Sequence, residues 1–182
     1  MNSFQKSLRS ALIIICVLIL SLVLQSTLFR AAAIGGIAPN LLVIAVVSLS
    51  LLMGSGKGVF IGFAAGLLED MVFGPAIGFY ALAYSVAGYL SGKLERLIFP
   101  DDMLLPVGAV AVGDFLQAFF VYVFSFLIRG RFFFSEFITG TVLPEMLYTS
   151  LIALFLYPLI LKIYTRWLRT VPESEKNYAK RS

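Results

Sequence analysis

The chain has no histidine, a single cysteine, a single tryptophan and few charges. Without histidine it lacks the commonest metal ligand and the commonest general base. Zinc-protease and heme chemistry are set aside on that ground, and no catalytic residue, metal or cofactor is assigned. The lone Cys16 cannot form an intrachain disulfide, so cysteine usage gives no indication of an oxidising compartment. Its place inside an apolar run predicts a buried structural thiol. Charged residues make up 13% of the 182 positions, against 60% hydrophobic ones. A soluble domain normally gives about a quarter of its residues to charge, so this chain has too little polar surface to cover itself in water.

What is present is a series of apolar runs. They fall at about 11–28, 39–53, 58–73, 79–94, 103–128 and 141–161, and predict an all-α integral membrane protein with six transmembrane helices in one domain over 1–171. The remaining residues, 172–182, form a short polar tail. A helix needs about 20 residues to cross a hydrocarbon core of about 30 Å. The second, third and fourth runs are short by that measure and need bilayer thinning or burial against neighbours. The fifth is long enough to tilt.

The net charge of +4 comes from basic residues clustered between the runs, which is topology information rather than a nucleic-acid footprint. With a cytoplasmic N-terminus, the inner face collects Lys6, Arg9, Lys57, Lys93, Arg96, Lys162, Arg166, Arg169, Lys176, Lys180 and Arg181. Arg30, Arg129 and Arg131 are left outside, and the asymmetry predicts that both termini are cytoplasmic. Tyr157, Tyr164 and Trp167 beside Lys162 and Arg166 read as an inner interfacial anchor, and Phe132, Phe133, Phe134 and Phe137 as an outer one. A cleavable signal peptide is the alternative for the N-terminus, with Ala31 to Ala33 imitating a cleavage site. The first run is longer than such a peptide needs.

From Gly54 to Gly78 a glycine or an acid recurs at every fourth position: Gly54, Gly58, Gly62, Gly66, Asp70, Gly74 and Gly78. In lipid there is no hydrophobic drive between helices, and close backbone approach through Gly-xxx-Gly is one of the main ways they associate. Four residues turn a helix by about 400°, so the stripe drifts about 40° per rung and its partner must cross at an angle. Pro75 ends that helix, which places Gly74 and Gly78 in a turn. The groove serves either packing within the bundle or contact with another protein. Gly88 and Gly92 form a second, weaker pair.

Intramembrane acids are the other candidates. Asp114 lies near the middle of the fifth run, where an aspartate costs about 2.5 to 3.5 kcal/mol on insertion scales. Asp70 and Glu145 share an outer layer, and Glu69 is turned about 100° from Asp70. A polar bridge between helices, or a pairing of Glu145 with Arg129 or Arg131, accounts for them. An aspartyl-type acid/base pair is the enzymatic alternative, and needs carboxylates converging at one depth.

Three stretches together resemble a known family. They are Pro39-Asn40-Leu41-Leu42; Gly58-xxx-Gly62-Phe63-xx-Gly66-Leu67-Leu68-x-Asp70-xxx-Gly74-xxx-Gly78; and Ala81-Leu82-x-Tyr84-xxx-Gly88-Tyr89-Leu90-x-Gly92. The combined pattern resembles the rod shape-determining protein MreD family. The likeness is dense from Pro39 to Leu94 and thinner beyond. It implies a non-enzymatic component of the bacterial elongasome in the cytoplasmic membrane, which assembles MreC and the peptidoglycan synthesis enzymes for side-wall growth. The implied partners are MreC, the MreB filament indirectly, RodA, a class B penicillin-binding protein and membrane lipids. Pro39, Asn40, Gly58, Gly62, Gly66, Asp70, Gly78 and Gly88 carry over as motif positions for helix packing or partner binding, with Gly54 beside them. The resemblance also implies a fold similar to the six-helix substrate-binding components of energy-coupling-factor transporters. A vitamin-transporter component is therefore the competing function. Its Ala-xxx-Ala docking motif is missing from the first run of this chain.

Overall fold

The computed structural model describes residues 3–29, 33, 36–74, 77–97, 103–129 and 137–168. Arg30, Pro75, Arg131, Phe132 to Phe134 and the tail lie outside that set. Helices occupy each of the six expected segments: α1 (Ser3–Leu24), α2 (Leu41–Met53), α3 (Ser55–Phe73), α4 (Phe79–Lys93), α5 (Leu104–Arg129) and α6 (Leu143–Ile163). A π-type turn, Gln25–Phe29, extends α1, and two more, Ile138–Val142 and Tyr164–Leu168, flank α6.

The architecture is organised around α2. Every residue from Leu41 to Leu51 is buried, and the helix packs against each of the other five. This explains its uniform composition, because a helix enclosed on all sides shows no amphipathic stripe. It also explains the length. Its 13 residues span about 20 Å, less than a hydrocarbon core, and neighbours rather than lipid surround it.

Among the described residues three helical stretches are long and apolar enough to cross a membrane: Ser7–Phe29, Leu104–Val123 and Ile138–Leu168. Helix α3 carries Lys57, Glu69 and Asp70, and α4 has only 15 residues. Both lie against α2 and each other.

Helix α1 corrects one expectation. It sits at the edge of the bundle with Leu12, Ile15, Ile19 and Leu20 facing outward, and Cys16 is exposed among them rather than buried. In lipid an apolar side chain has no need of protein cover, so apolarity does not report burial there. The inner aromatic anchor is corrected too. Tyr157 is buried and Tyr164 packs against the core, leaving Trp167 as the exposed member of its group. Phe137 stacks on Tyr122 at 4.8 Å. The Arg9 guanidinium lies 4.8 Å from the Trp167 ring, so the start of α1 and the end of α6 are at the same end of the bundle.

Candidate functional site: a glycine seam and a buried polar knot

The glycine groove is filled by α4. A Cβ added at Gly58 would run into the Gly88 carbonyl oxygen, one at Gly62 into the Tyr84 carbonyl, and one at Gly66 into the Ala81 backbone. The clash is reciprocal, since a Cβ at Gly88 meets the Gly58 carbonyl and one at Gly92 meets the Ser55 backbone. Rungs four residues apart on two antiparallel helices therefore interlock backbone to backbone. Such contact gains dispersion along the whole seam and admits Cα–H···O contacts. Ser50 of α2 closes the crossing, its Oγ 2.9 Å from where a Gly58 Cβ would stand.

Asp70 ends the seam in a different role. Its Oδ2 accepts from the Gly78 N–H at 2.8 Å and the Ala81 N–H at 3.1 Å, and its Oδ1 accepts from the Tyr80 N–H at 2.8 Å. A carboxylate on the last turn of α3 thus caps the first turn of α4, where unsatisfied donors and the positive end of the helix dipole favour it. Gly78 lends this arrangement its backbone, with φ at +99°, a conformation glycine adopts without a Cβ penalty. At the opposite end of α3, Gly54 is the one residue between α2 and α3, and its φ is +84°.

The second feature is a knot of buried polar side chains around the N-terminus of α2. A helix terminus inside a bundle needs partners for its free N–H groups. Asn40, the N-cap beside buried Pro39, supplies one by accepting from the Val43 N–H at 3.1 Å through Oδ1. Gln25 of the turn after α1 accepts from the Leu42 N–H at 3.1 Å. The Asn40 N–H donates to Thr149 Oγ1 of α6 at 3.0 Å, and the Tyr84 hydroxyl of α4 donates to Asn40 Oδ1 at 3.1 Å. Three helices, α2, α4 and α6, thus meet at Asn40, and the turn after α1 joins them at Leu42.

Because Asn40 Oδ1 receives two donors, Nδ2 is left to donate elsewhere. It faces Asp114, which lies within hydrogen-bonding reach of both Asn40 and Thr149 and in the electrostatic field of Glu145 and Glu69. Asp114 and Glu69 are 2% and 6% exposed, and among the described residues Asp114 Oδ1 and Glu69 Oε2 have no hydrogen-bond partner. Glu145 is half-buried. The acids that converge are thus Asp114, Glu145 and Glu69, whereas Asp70 is committed to α4. The Arg129 side chain and Arg131, considered as partners of Glu145, lie outside what is described. Among the described residues no group of three or more acidic, His or Cys side chains is disposed to hold a metal ion.

Of the residues singled out from sequence, Asn40, Asp114 and Glu145 meet in the knot, with Pro39 beside it. Gly58, Gly62, Gly66 and Gly88 meet in the seam, and Gly54, Asp70 and Gly78 govern its two ends. Gln25, Tyr84 and Thr149 had not been assigned a bonding role. Their common signal is a hydrogen-bonding side chain within or at the end of an apolar run, where a polar group needs a partner.

The family model for the rod shape-determining protein MreD matches residues 5–167. No curated protein and no solved structure matches the chain. With that match running from the start of α1 to the turn after α6, and covering both the seam and the knot, the chain belongs to the MreD family of rod shape-determining membrane proteins.

Proposed function

We propose that this protein is a non-enzymatic scaffold of the elongasome in the bacterial inner membrane, crossing it six times with both termini cytoplasmic. It holds MreC, and through it MreB, together with RodA and a class B penicillin-binding protein for side-wall growth. The family match over 5–167 is the observation that carries this reading. The interior supports it. The glycine groove is occupied by α4, and α2 is enclosed on all sides, so the bundle is a preorganised body whose outer faces are left for partners.

Those faces are apolar. On the side of α3 away from the seam, Phe60 and Phe63 are exposed one turn apart, a spacing that suits a bitopic helix such as that of MreC. The glycine seam then acts indirectly, by fixing the position of α3.

Depletion with scoring of cell shape, combined with co-purification of MreC, tests the proposal. Rounded cells and loss of MreC from the synthesis enzymes are expected. Rods of unchanged width, with intact MreC complexes, would overturn it. A vitamin requirement without a shape defect would point to transport instead.

A further inference from the structure

Between α1 and the end of α6 lies an open groove of about 470 Å³, lined by Arg9, Cys16, Leu20, Ile163 and Trp167 among others. The volume falls within the range of ligand sites, about 300 to 1,000 Å³. Its chemistry is divided along its length. At one end Arg9 lines the groove with its guanidinium 4.8 Å from the Trp167 ring, and the Arg166 guanidinium, outside the lining, lies 5.8 Å from the same ring. From there the wall on α1 runs through Cys16 to Leu20 without a charge, a helix length of about 16 Å.

We propose that this groove binds an anionic glycerophospholipid, with its phosphate at the Arg9 end, in the field of Arg166 beside the same indole, and an acyl chain along Cys16 and Leu20. Three observations select this occupant. The Arg9 guanidinium in the wall offers a phosphate planar, multidentate donors, and Arg166 adds a second positive charge at the same end. The half-exposed Trp167 indole is a side chain suited to the depth of lipid headgroups. The remaining wall is apolar over a length that matches a chain rather than a soluble anion. Cationic side chains near an anionic leaflet each attract its lipids appreciably. The inference rests on the membrane placement of the chain and is independent of its scaffold role.

Trp167 is the only tryptophan in the protein, so its fluorescence reports this groove without a label. The full chain is placed in phosphatidylcholine nanodiscs containing 20 mol% of either brominated phosphatidylglycerol or brominated phosphatidylcholine. Site occupancy by the anionic lipid is expected to be on the order of tenfold higher than by the zwitterionic one, and to fall with added salt. Arg9→Gln with Arg166→Gln should remove the preference, whereas Arg9→Lys with Arg166→Lys should retain part of it. Cys16→Phe, which fills the groove and leaves both arginines in place, should also remove it. Equal quenching by the two lipids in the wild type overturns the proposal. So does a preference that survives Cys16→Phe, which would mean a diffuse annulus, and so does absence of quenching by either lipid, which would mean a protein segment or second copy covers the groove.

Discussion

Gly62→Ala is the sharpest test of the seam, because the perturbation is one methyl group against rigid backbone. The new Cβ would sit 2.5 Å from the Tyr84 carbonyl carbon and 2.9 Å from the Ser85 nitrogen. Ordinary contact begins near 3.4 Å, so α3 and α4 must part by about 1 Å. Neighbouring rungs at Gly58 and Gly66 are held at the same close spacing and open with it, and a gap of 0.5 to 1 Å forfeits about a quarter to a half of each contact's attraction. Overpacking typically costs about 1 to 3 kcal/mol, and the lost contacts bring the total to about 2 to 4 kcal/mol. Alanine's better helix propensity, about 1 kcal/mol, offsets only part. For a chain of this size the net loss of about 1 to 3 kcal/mol lowers Tm by roughly 2 to 12 °C. Gly56→Ala and Gly108→Ala are the controls, since a Cβ at either meets nothing within 4 Å, and both should leave Tm unchanged or raise it. The measurement is the monodisperse fraction after heating in detergent, read by size-exclusion fluorescence. A Gly62→Ala protein as stable as Gly108→Ala would refute the reasoning.

Further outcomes follow from the cap and the knot. Asp70→Asn places an amide where three N–H donors converge, so donor meets donor at one oxygen position. A loss of about 2 to 4 kcal/mol in the same heating assay is expected, and a wild-type midpoint would argue against the cap. Asn40→Ala removes the α2 cap and the Asn40 acceptor of the Tyr84 hydroxyl, leaving that hydroxyl only Glu69, a cost of about 1 to 3 kcal/mol; membrane levels comparable to wild type after mild heating would contradict that. Asp114→Asn should be milder than Asp114→Leu, because an amide still offers an oxygen to Thr149 and a leucine strands that hydroxyl and the Asn40 amide. Complete loss of rod shape in both variants, at normal membrane levels, would instead indicate that the carboxylate itself acts.

The six helical segments and the α3 groove were legible in the sequence because apolar runs separated by charged, Gly or Pro residues mark helices whether lipid or protein surrounds them, and small residues leave a spacing signature. The identity of the groove's partner was not. Gly58 and Gly62 announce that a backbone comes close, but only the fold shows that it belongs to Gly88 and Tyr84. Cys16 was misplaced because apolar runs in a membrane look alike whether they face lipid, as α1 does, or protein, as α2 does. The polar knot escaped for a related reason. Asp114 was conspicuous by its cost, whereas Thr149 is one hydroxyl among several in its run, and its importance comes from a bond to a residue 109 positions away. Asp70 illustrates a further limit, since spacing placed it on the ladder and gave no hint that it caps the next helix.

That long-range bond has a consequence for biogenesis. Asn40 emerges from the ribosome early and Thr149 late, so the Asn40 N–H has to wait for α6 before its partner exists, and Asp114 for the second of its two. Until then the chain carries unpaired polar groups in the bilayer, where each costs several kcal/mol. The last helix thus acts as the closing step of assembly, and a chain truncated before α6 presents to membrane quality control the exposed polar surface that the finished protein hides.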